Sequence, residues 1–489
     1  MDIPNWVQDA IFYQIFPDRF AKSDKNPASK LPFEAWDSAP TNHGFKGGDL
    51  YGVIEKLDYL EELGINAIYF NPVFSSASNH RYHTFDYYSV DPLLGGNEAL
   101  QKLIKAAHKK NIRVVLDGVF NHASRGFWQF NHVLETGAAS PYRNWFHFDE
   151  ERLNGKKHWG AYPTHHEEQL LKHEDSLTAI GYRAWWNLPA LPKFNTDNPV
   201  VREYIFDIAQ YWVKFGIDGW RLDVPGEIND DEFWREFRRR VHAINPDTYI
   251  VGEVWHEAQR WLQGDQFDAV MNYLVTAISM NFFAANTLNT HVIEQAGGLK
   301  DRVRPMNGYD FANELDRILN LYPQEITYAQ LNLLDSHDMP RFLSCVSGDK
   351  SALKLAWLFM FTIPGAPCIY YGDEVGVDGG HDPECRKSFP WDEDKWDKNL
   401  LDYTKACTSL RKEHVALRRG NFKRIHAEGE VMVYSRTHKN ETVFIAFNVS
   451  KEEKAIELSI GKKPRVLFGE PAISGDKITI PPRSGIVIK

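Results

Sequence analysis

Short apolar runs recur along the first three quarters of the chain and dominate its hydrophobic pattern. They are 5 to 9 residues long and mostly rich in β-branched and aromatic residues, which is typical of parallel strands buried on both faces. We predict a strand in each of eight runs: residues 10–17, 65–72, 112–120, 217–224, 248–254, 269–273, 331–337 and 366–374.

Segments with helical spacing lie between several of these runs. Residues 97–111 carry an apolar face formed by Leu100, Leu103, Ile104 and Ala107. The same spacing recurs in residues 199–215 and 231–244. Eight strands alternating with helices favour an α/β fold of the closed (β/α)8 type, a TIM barrel, over an open doubly wound sheet. Neither a G-x-G-x-x-G nor a phosphate-loop motif follows any run, so nothing in the pattern indicates nucleotide binding.

Two stretches depart from the barrel rhythm. About a hundred residues separate the third run from the fourth, whereas one βα unit needs only ~30. The excess is rich in His, Trp, Tyr and Phe and predicts an inserted subdomain over the barrel mouth. Beyond residue 414, four short runs between polar turns (431–435, 442–448, 455–460 and 477–481) predict the strands of a small all-β sandwich domain. The predicted organisation is a barrel (1–122 and 191–414), an inserted lid (123–190) and a C-terminal β domain (415–489).

Composition excludes several classes of protein. The 489 residues carry 56 Lys and Arg against 66 Asp and Glu, a net charge of −10, and so lack the basic excess of a nucleic-acid binder. No run approaches the ~18 apolar residues of a membrane span, and the first residues do not read as a secretory signal. The four cysteines form neither a disulfide framework nor a paired metal-ligand spacing. We expect a cytoplasmic protein without nucleic-acid or membrane partners.

Polar residues at the ends of four predicted strands carry the candidate chemistry, since barrels place their active sites there. Arg221 and Asp223 lie two apart on the fourth run, so both side chains point to one face. An arginine beside a carboxylate keeps it ionised, as a nucleophile requires. The four strand-end strings are DGVFNH (117–122), GWRLDV (219–224), VGEVW (251–255) and NLLDSHD (332–338).

Glu253 lies one βα unit after Asp223. Because adjacent strands are ~4.8 Å apart, the two carboxyl groups can approach the ~5–5.5 Å separation of a retaining glycosidase, with one as nucleophile and the other as acid/base. Asp338 adds a third carboxylate. A single strand-end carboxylate often only caps a helix or pairs with a lysine, but three of them with His122 and His337 favour catalysis.

Within these strings, residues 117–122, 219–223, 252–255 and 334–338 resemble, in order, the four signature regions of the α-amylase superfamily of glycoside hydrolases. GGDLYG (47–52) and LPKFN (191–195) extend the resemblance, and the latter is similar to a marker of the neopullulanase, cyclomaltodextrinase and maltogenic amylase group. EVWH (253–256), GDQFD (264–268) and DPECRK (382–387) also resemble that group. The group's extra N-terminal domain, which builds its dimer, is expected to be missing because the first run begins at residue 10. The oligomeric state therefore stays open.

The resemblance implies a role for each matching residue. Asp223 corresponds to the nucleophile, Glu253 to the general acid and Asp338 to the carboxylate that binds ring hydroxyls. The implied substrate-binding set is Tyr82, Asp117, His122, Arg221, Trp255, His337, Asp382 and Arg386. In it, Tyr82 stacks beneath the sugar at the cleaved bond. The aromatic run YRAWW (182–186) either faces sugar rings or packs within the insert.

The resemblance also implies a calcium loop. The matching ligands are Asp24, Asn26, the Gly47 carbonyl and Asp49. Lys22 stands where an Asn ligand is expected, and calcium takes 6–8 oxygens. We expect no required cofactor, with calcium as the one alternative.

The resemblance implies retaining hydrolysis of α-1,4-glucosidic bonds in cyclodextrins and maltooligosaccharides. Pullulan or starch would extend this range of substrates. A transglycosylase and an α-glucosidase of the same superfamily remain alternatives. A catalytically inactive sugar-binding relative is a remote one, because all three carboxylates are present.

Overall fold

Eight parallel strands form the centre of the molecule, whose computed structural model describes residues 2–157, 160–461 and 464–489. Each lies within one of the eight predicted runs. They follow the order β6-β5-β4-β3-β2-β1-β8-β7, and a parallel bridge between Met271 and Leu331 joins the two edges. The sheet therefore closes into the predicted barrel. The strands are β1 (Phe12–Ile15), β2 (Ala67–Phe70), β3 (Arg113–Gly118), β4 (Gly219–Leu222), β5 (Tyr249–Gly252), β6 (Ala269–Val270), β7 (Leu331–Leu333) and β8 (Ala366–Tyr370).

Helices connect most of the strands and cover the barrel. Two of them, Pro199–Phe215 and Asp231–Ile244, begin and end at the predicted residues. The first is capped by the Asn198 side chain and ends at Gly216, whose φ of 117° suits glycine. The other main barrel helices are Leu50–Glu55, Leu57–Glu62, Gly96–Lys109, Tyr273–Phe283, Gly308–Leu319, Gln324–Ala329, Lys350–Thr362 and Lys398–Glu413.

The long connection between β3 and β4 lies beside the carboxyl ends of the strands. It contains the helices Trp128–Thr136, Glu150–Leu153, His165–Leu170 and Ser176–Ile180. Bridges from His122 to Lys193 and from Phe146 to Phe194 fasten its two ends to each other. A hairpin of Phe74–Ser76 and Thr84–Val90 contacts it, with the Ser124 amide donating to the Thr84 carbonyl over 2.9 Å. The predicted boundaries of the inserted lid, residues 123 and 190, remain a prediction.

The C-terminal region is all-β, as predicted, and consists of a five-stranded and a three-stranded antiparallel sheet. Phe447 of this region packs against Phe283 and Phe359 of two barrel helices, with ring centroids 5.2 and 6.3 Å away. Four of the strands were not predicted from the sequence: Asn421–Glu428, Val466–Phe468, Ala472–Ser474 and Ser484–Ile488. The other four are Val431–His438, Glu441–Asn448, Lys454–Glu457 and Lys477–Ile480.

All four cysteines are buried and free: Cys345, Cys368, Cys385 and Cys407. Burial raises the pKa of each thiol. Across the described residues, no helix combines the length and apolar character needed to cross a membrane.

Candidate active site

The barrel register brings the predicted strand-end residues together. Asp117 on β3 pairs with Arg221 on β4, and Leu222 pairs with Gly252 on β5. Asp223 and Glu253 each follow directly, so they stand at the same level on neighbouring strands. The amide of Asp223 donates to the Gly118 carbonyl, and that of Glu253 donates to the Leu222 carbonyl. The backbone positions of Asp223 and Glu253 are therefore fixed by the ladder itself.

Arg221 is the centre of this group. Its side chain is fully buried, and its Nη1 donates to Asp117 Oδ1 at 2.9 Å and to Asp223 Oδ1 at 3.0 Å. Its Nη2 lies 3.0 Å from Glu253 Oε2. Asp223 Oδ2 is buried and has no hydrogen-bond partner in the part of the chain that the structure describes. One oxygen of Asp223 is thus held by the guanidinium, and the other is left for a reacting group.

Glu253 is held by two further donors. Trp255 Nε1 donates to Glu253 Oε1 over 3.0 Å, and the Val224 amide donates to Oε2 over 3.1 Å. Val224 has φ 35° and ψ 51°, a left-handed conformation that is strained for a β-branched residue. That conformation aims the Val224 amide at Glu253. The Trp255 ring stacks on Tyr273 at 3.7 Å between centroids, so its position is fixed as well.

A second chain of contacts joins Tyr82 to Asp338. Tyr82 Oη donates to Asp117 Oδ2 over 2.8 Å and lies 2.6 Å from His337 Nε2. Gln14 Nε2 donates to the Nδ1 atom of His337 over 3.0 Å, which leaves His337 Nε2 as the donor of that ring. That same Nε2 lies 3.0 Å from Asp338 Oδ2.

Arg386 continues the chain outward. Its Nη2 lies 3.4 Å from Asp338 Oδ1, and its Nη1 lies 3.0 Å from Asp382 Oδ1. Its Nε donates to the His337 carbonyl over 2.9 Å. Asp382 and Arg386, two members of the predicted substrate-binding set, are therefore continuous with the predicted catalytic residues.

His122 lies on the insert side, apart from the His337 contacts. Its ring is buried and stacks on Trp185 at 5.0 Å, and Trp185 stacks on Trp186 at 4.4 Å. Trp186 is 76% exposed. Trp185 and Trp186 of the aromatic run thus form a stack that begins at His122 and ends in solvent, whereas Tyr182 is buried within the insert.

Burial and charge set the protonation of the site. Burial raises the pKa of Asp223 well above its usual range, and Arg221 opposes that rise. Burial also raises the pKa of Asp338, but His337 and Arg386 outweigh it and hold the pKa below its usual value. Burial lowers the pKa of His122 to about 3, so its ring is neutral. Burial raises the pKa of Asp117 as well, again against the opposing charge of Arg221, which the two aspartates share.

Sequence reasoning missed several residues of the site. Asn71 Nδ2 donates to Tyr82 Oη over 3.1 Å, and its Oδ1 accepts from Gln14 over the same distance. Gln14 comes from β1, whose apolar pattern gave no sign of a functional residue. The role of Val224 depends on its φ angle, which no composition signal reveals.

The residues of the predicted calcium loop do not fit a calcium site. The Asp49 carboxylate accepts from the amides of Gly52 and Ser23 over 2.8 and 3.1 Å. Asn26 Oδ1 accepts from the Ala28 amide, and the Asn26 side chain donates to the Leu93 carbonyl. The Lys22 ammonium lies over the Trp36 ring, 5.5 Å from its centroid.

Comparison with known proteins agrees with this geometry. The family model of the α-amylase catalytic domain matches residues 14–415, and that of the α-amylase C-terminal domain matches residues 420–466. The chain is 44% identical over 469 residues to a cyclomaltodextrinase of Geobacillus thermopakistaniensis, a match covering 95% of this chain and 73% of the relative. It is 40% identical to neopullulanase 2 of Thermoactinomyces vulgaris, over 94% of this chain and 72% of the relative.

A solved structure matches over the whole length. The debranching enzyme of Nostoc punctiforme superposes with a TM-score of 0.87 at 44% identity, covering 99% of each chain. Together with the catalytic-domain match, these similarities show that the chain belongs to the α-amylase family of glycoside hydrolases.

Proposed function

We propose that the protein hydrolyses α-1,4-glucosidic bonds of cyclodextrins and maltooligosaccharides with retention of configuration. The observation that carries the proposal is the joint binding of Asp223 and Glu253 to Arg221. Both carboxyl groups contact the two terminal nitrogens of one guanidinium, a close pairing that suits a covalent intermediate, whereas inverting enzymes keep ~6.5–9.5 Å between theirs to admit a water. The names of the similar cyclomaltodextrinase and neopullulanase support the substrate class.

Each step has a residue in place for it. The free Oδ2 of Asp223 attacks the anomeric carbon while Glu253 gives its proton to the departing glycosidic oxygen. Water then attacks the same carbon, Glu253 takes the proton from that water, and the ester bond to Asp223 breaks. Trp255 and the Val224 amide orient Glu253 throughout.

The remaining residues bind the sugar. The Tyr82 ring, fixed by Asp117, Asn71 and His337, forms the platform beneath the glucose at the cleaved bond. Asp338, kept ionised by His337 and Arg386, accepts from ring hydroxyls. Asp382 and Arg386 serve the next sugar, and the stack of Trp185 and Trp186 serves the outer sugars.

Two parts of the proposal concern location and ions. We place the activity in the cytoplasm, where short imported oligosaccharides would be the substrates. Because the loop residues do not fit a calcium site, we propose that calcium is not required for turnover.

Product analysis tests the proposal. β-Cyclodextrin, maltotriose, pullulan and soluble starch are offered separately, and NMR records the anomer released first. Ring opening to maltose and glucose faster than starch cleavage, with the α-anomer appearing first, is expected. Faster starch cleavage, growth of longer products from maltotriose, or glucose as the sole early product would replace the proposal with an ordinary α-amylase, a transglycosylase or an α-glucosidase. No turnover by the folded protein, with sugar binding retained, would indicate an inactive relative.

A further inference from the structure

The ammonium group of Lys46 is a buried cation surrounded by oxygen atoms. Its side chain has no exposed surface. Nζ donates to the carbonyls of Ala35 and Ser38 over 2.9 and 2.8 Å, contacts Ser38 Oγ, and lies 3.4 Å from the Ala39 carbonyl. Glu34 Oε2 lies 3.3 Å away. Five oxygens therefore face one charge.

Burying an ammonium group without polar partners is very costly. The oxygens around Lys46 Nζ are therefore needed to stabilise its charge. An ammonium has three N–H donors, fewer than the oxygens that surround this one. All five oxygens belong to residues 34–39. The lysine thus closes a loop of chain around its own charge, as a bound metal ion closes a loop of ligands.

The loop that Lys46 closes has no helix or strand of its own between residues 31 and 47. Without a backbone ladder, its shape depends on side-chain contacts. The Glu34 amide donates to the Phe45 carbonyl over 2.9 Å, and Thr41 Oγ1 donates to Glu34 Oε1 over 2.6 Å. Glu34, Thr41 and Lys46 therefore form one group that holds the loop closed.

The closed loop supports two walls of the sugar pocket. Asn79 Nδ2 donates to the Gly44 and Asn42 carbonyls over 2.8 and 3.1 Å, and Asn79 lies three residues before Tyr82. Arg19 donates to the Gly44 carbonyl over 3.0 Å and to the Arg386 carbonyl over 2.9 Å. A change in loop shape would reach both the Tyr82 platform and Arg386.

The loop also occupies the region where the family resemblance places calcium. A cavity of about 280 Å³ there is lined by Asp24 and Gly47, two of the expected ligands, and also by Lys22 and Lys46. The two lysines of this lining offset its two carboxylates, Asp24 and Glu34, so the cavity offers a divalent cation no net negative charge.

We propose that the Lys46 ammonium is the internal cation that fixes the loop of residues 31–45 and, through it, the walls of the sugar pocket that carry Tyr82 and Arg386. It does in this chain what a bound metal ion would do at a calcium loop. Lys46 is accordingly a positioning residue. The proposal relies on the proposed function only for its kinetic readout.

The test compares Lys46→Ala and Lys46→Met, which keeps the aliphatic stem, with Lys30→Ala, an exposed lysine of the same segment. Hydrogen exchange of residues 31–45 is measured by mass spectrometry. Both Lys46 variants should exchange about tenfold faster there, whereas the Lys30 variant should match the wild type. Methylammonium chloride should slow exchange in Lys46→Ala, and tetramethylammonium chloride, which has no N–H donor, should not.

Kinetics and metal removal supply independent readouts. In Lys46→Met we expect KM for maltooligosaccharides to rise about tenfold with a smaller change in kcat, because binding walls move more than the carboxylates. Chelator or added calcium should leave the thermal midpoint of the wild type unchanged. Unchanged exchange in both Lys46 variants, or a wild-type midpoint that falls with chelator and recovers with calcium, would overturn the proposal. Failure of the proposed activity would leave the exchange and rescue measurements intact.

Discussion

Arg221 shows how one residue organises the chemistry of this site. It donates to Asp117 and Asp223 and lies against Glu253, and its own side chain is fully buried. A buried arginine stays charged, so its position fixes where negative charge is favoured. The two proposed catalytic carboxylates differ in their other partners. Glu253 has Trp255 and Val224 as donors, whereas Asp223 Oδ2 has none among the described residues. The free oxygen suits a nucleophile, and the oriented carboxyl suits an acid.

This difference predicts different results for two isosteric variants. Glu253→Gln should lower kcat on maltooligosaccharides by about 10²–10⁴-fold, the usual share of a general acid. It should retain a rapid first release of fluoride from α-glucosyl fluoride, whose leaving group needs no proton, and then turn over slowly because the second step still lacks its base. Asp223→Asn should lose both reactions. Equal losses in the first turnover of the two substrates in Glu253→Gln would contradict the assignment of the acid.

His242 gives a pH prediction away from the site. It lies in the helix Asp231–Ile244, its Nε2 donates to the Thr248 carbonyl over 3.0 Å, and burial, aided by Arg238, lowers its pKa to about 4. His242 therefore binds a proton near pH 6.5 in the unfolded chain but only near pH 4 in the folded chain. The stability contributed by neutral His242 is complete above pH 6.5 and is lost as the pH falls to 4.

We expect the stability advantage of the wild type over His242→Gln to narrow steadily between pH 7 and pH 4. Urea unfolding of both proteins at each pH measures it. A constant difference across that range would contradict the prediction.

At the scale of elements, the sequence predicted the existence of each barrel strand more accurately than its length. The run 331–337 contains a strand of only Leu331–Leu333, because the residues after it stay apolar or buried in a loop that reaches the site. The strand-end rule located Asp223, Glu253 and Asp338 since it needs only local pattern and barrel geometry. It could not locate Asn71 or Gln14, whose contacts arise between elements distant in sequence. Edge strands such as Asn421–Glu428 are largely exposed, so they lack the apolar run that a prediction uses.

Close strand packing predicts that Gly219 on β4 does not tolerate a side chain. A Cβ there would lie 2.7 Å from the Tyr249 carbonyl oxygen and 3.1 Å from the Val115 side chain. Gly219→Ala should destabilise the fold by about 1–3 kcal/mol and lower kcat by moving Arg221 and Asp223. Gly160→Ala, where the nearest atoms are 4.0 Å away, is the matched control. Thermal midpoints and kcat of both variants are measured, and equal behaviour would refute the packing argument.

The whole molecule shares one principal core. Its larger hydrophobic cluster runs from Ile11 and Phe12 of the barrel to Phe447 and Val487 of the C-terminal sheets. Arg483 adds polar links, donating to the Phe283 carbonyl over 3.0 Å and to Asp349 over 2.6 Å. The β domain and the barrel should therefore unfold together.

We expect one calorimetric transition, and we expect Phe447→Ala to shift all of it by about 3–5 kcal/mol of stability, with kcat per folded molecule unchanged. Ile425→Ala, at a side chain 37% exposed in the same domain, should have little effect. Two transitions, with the barrel one unmoved by Phe447→Ala, would contradict a shared core.

The rate at which the four buried thiols react measures how often the structure around each of them opens. A thiol reagent reaches Cys345, Cys368, Cys385 or Cys407 only when the surrounding structure parts. Cys385 adjoins Arg386, and its Sγ donates to the His337 carbonyl over 3.3 Å, whereas Cys407 lies in the helix Lys398–Glu413 away from the pocket. The labelling rate of Cys385 therefore measures local opening near the sugar site, and the labelling rate of Cys407 measures opening of the helices that cover the barrel. A bound oligosaccharide should slow the labelling of Cys385 more than that of Cys407. One short exposure to the reagent would therefore measure ligand binding and global unfolding separately, in a chain without substitutions.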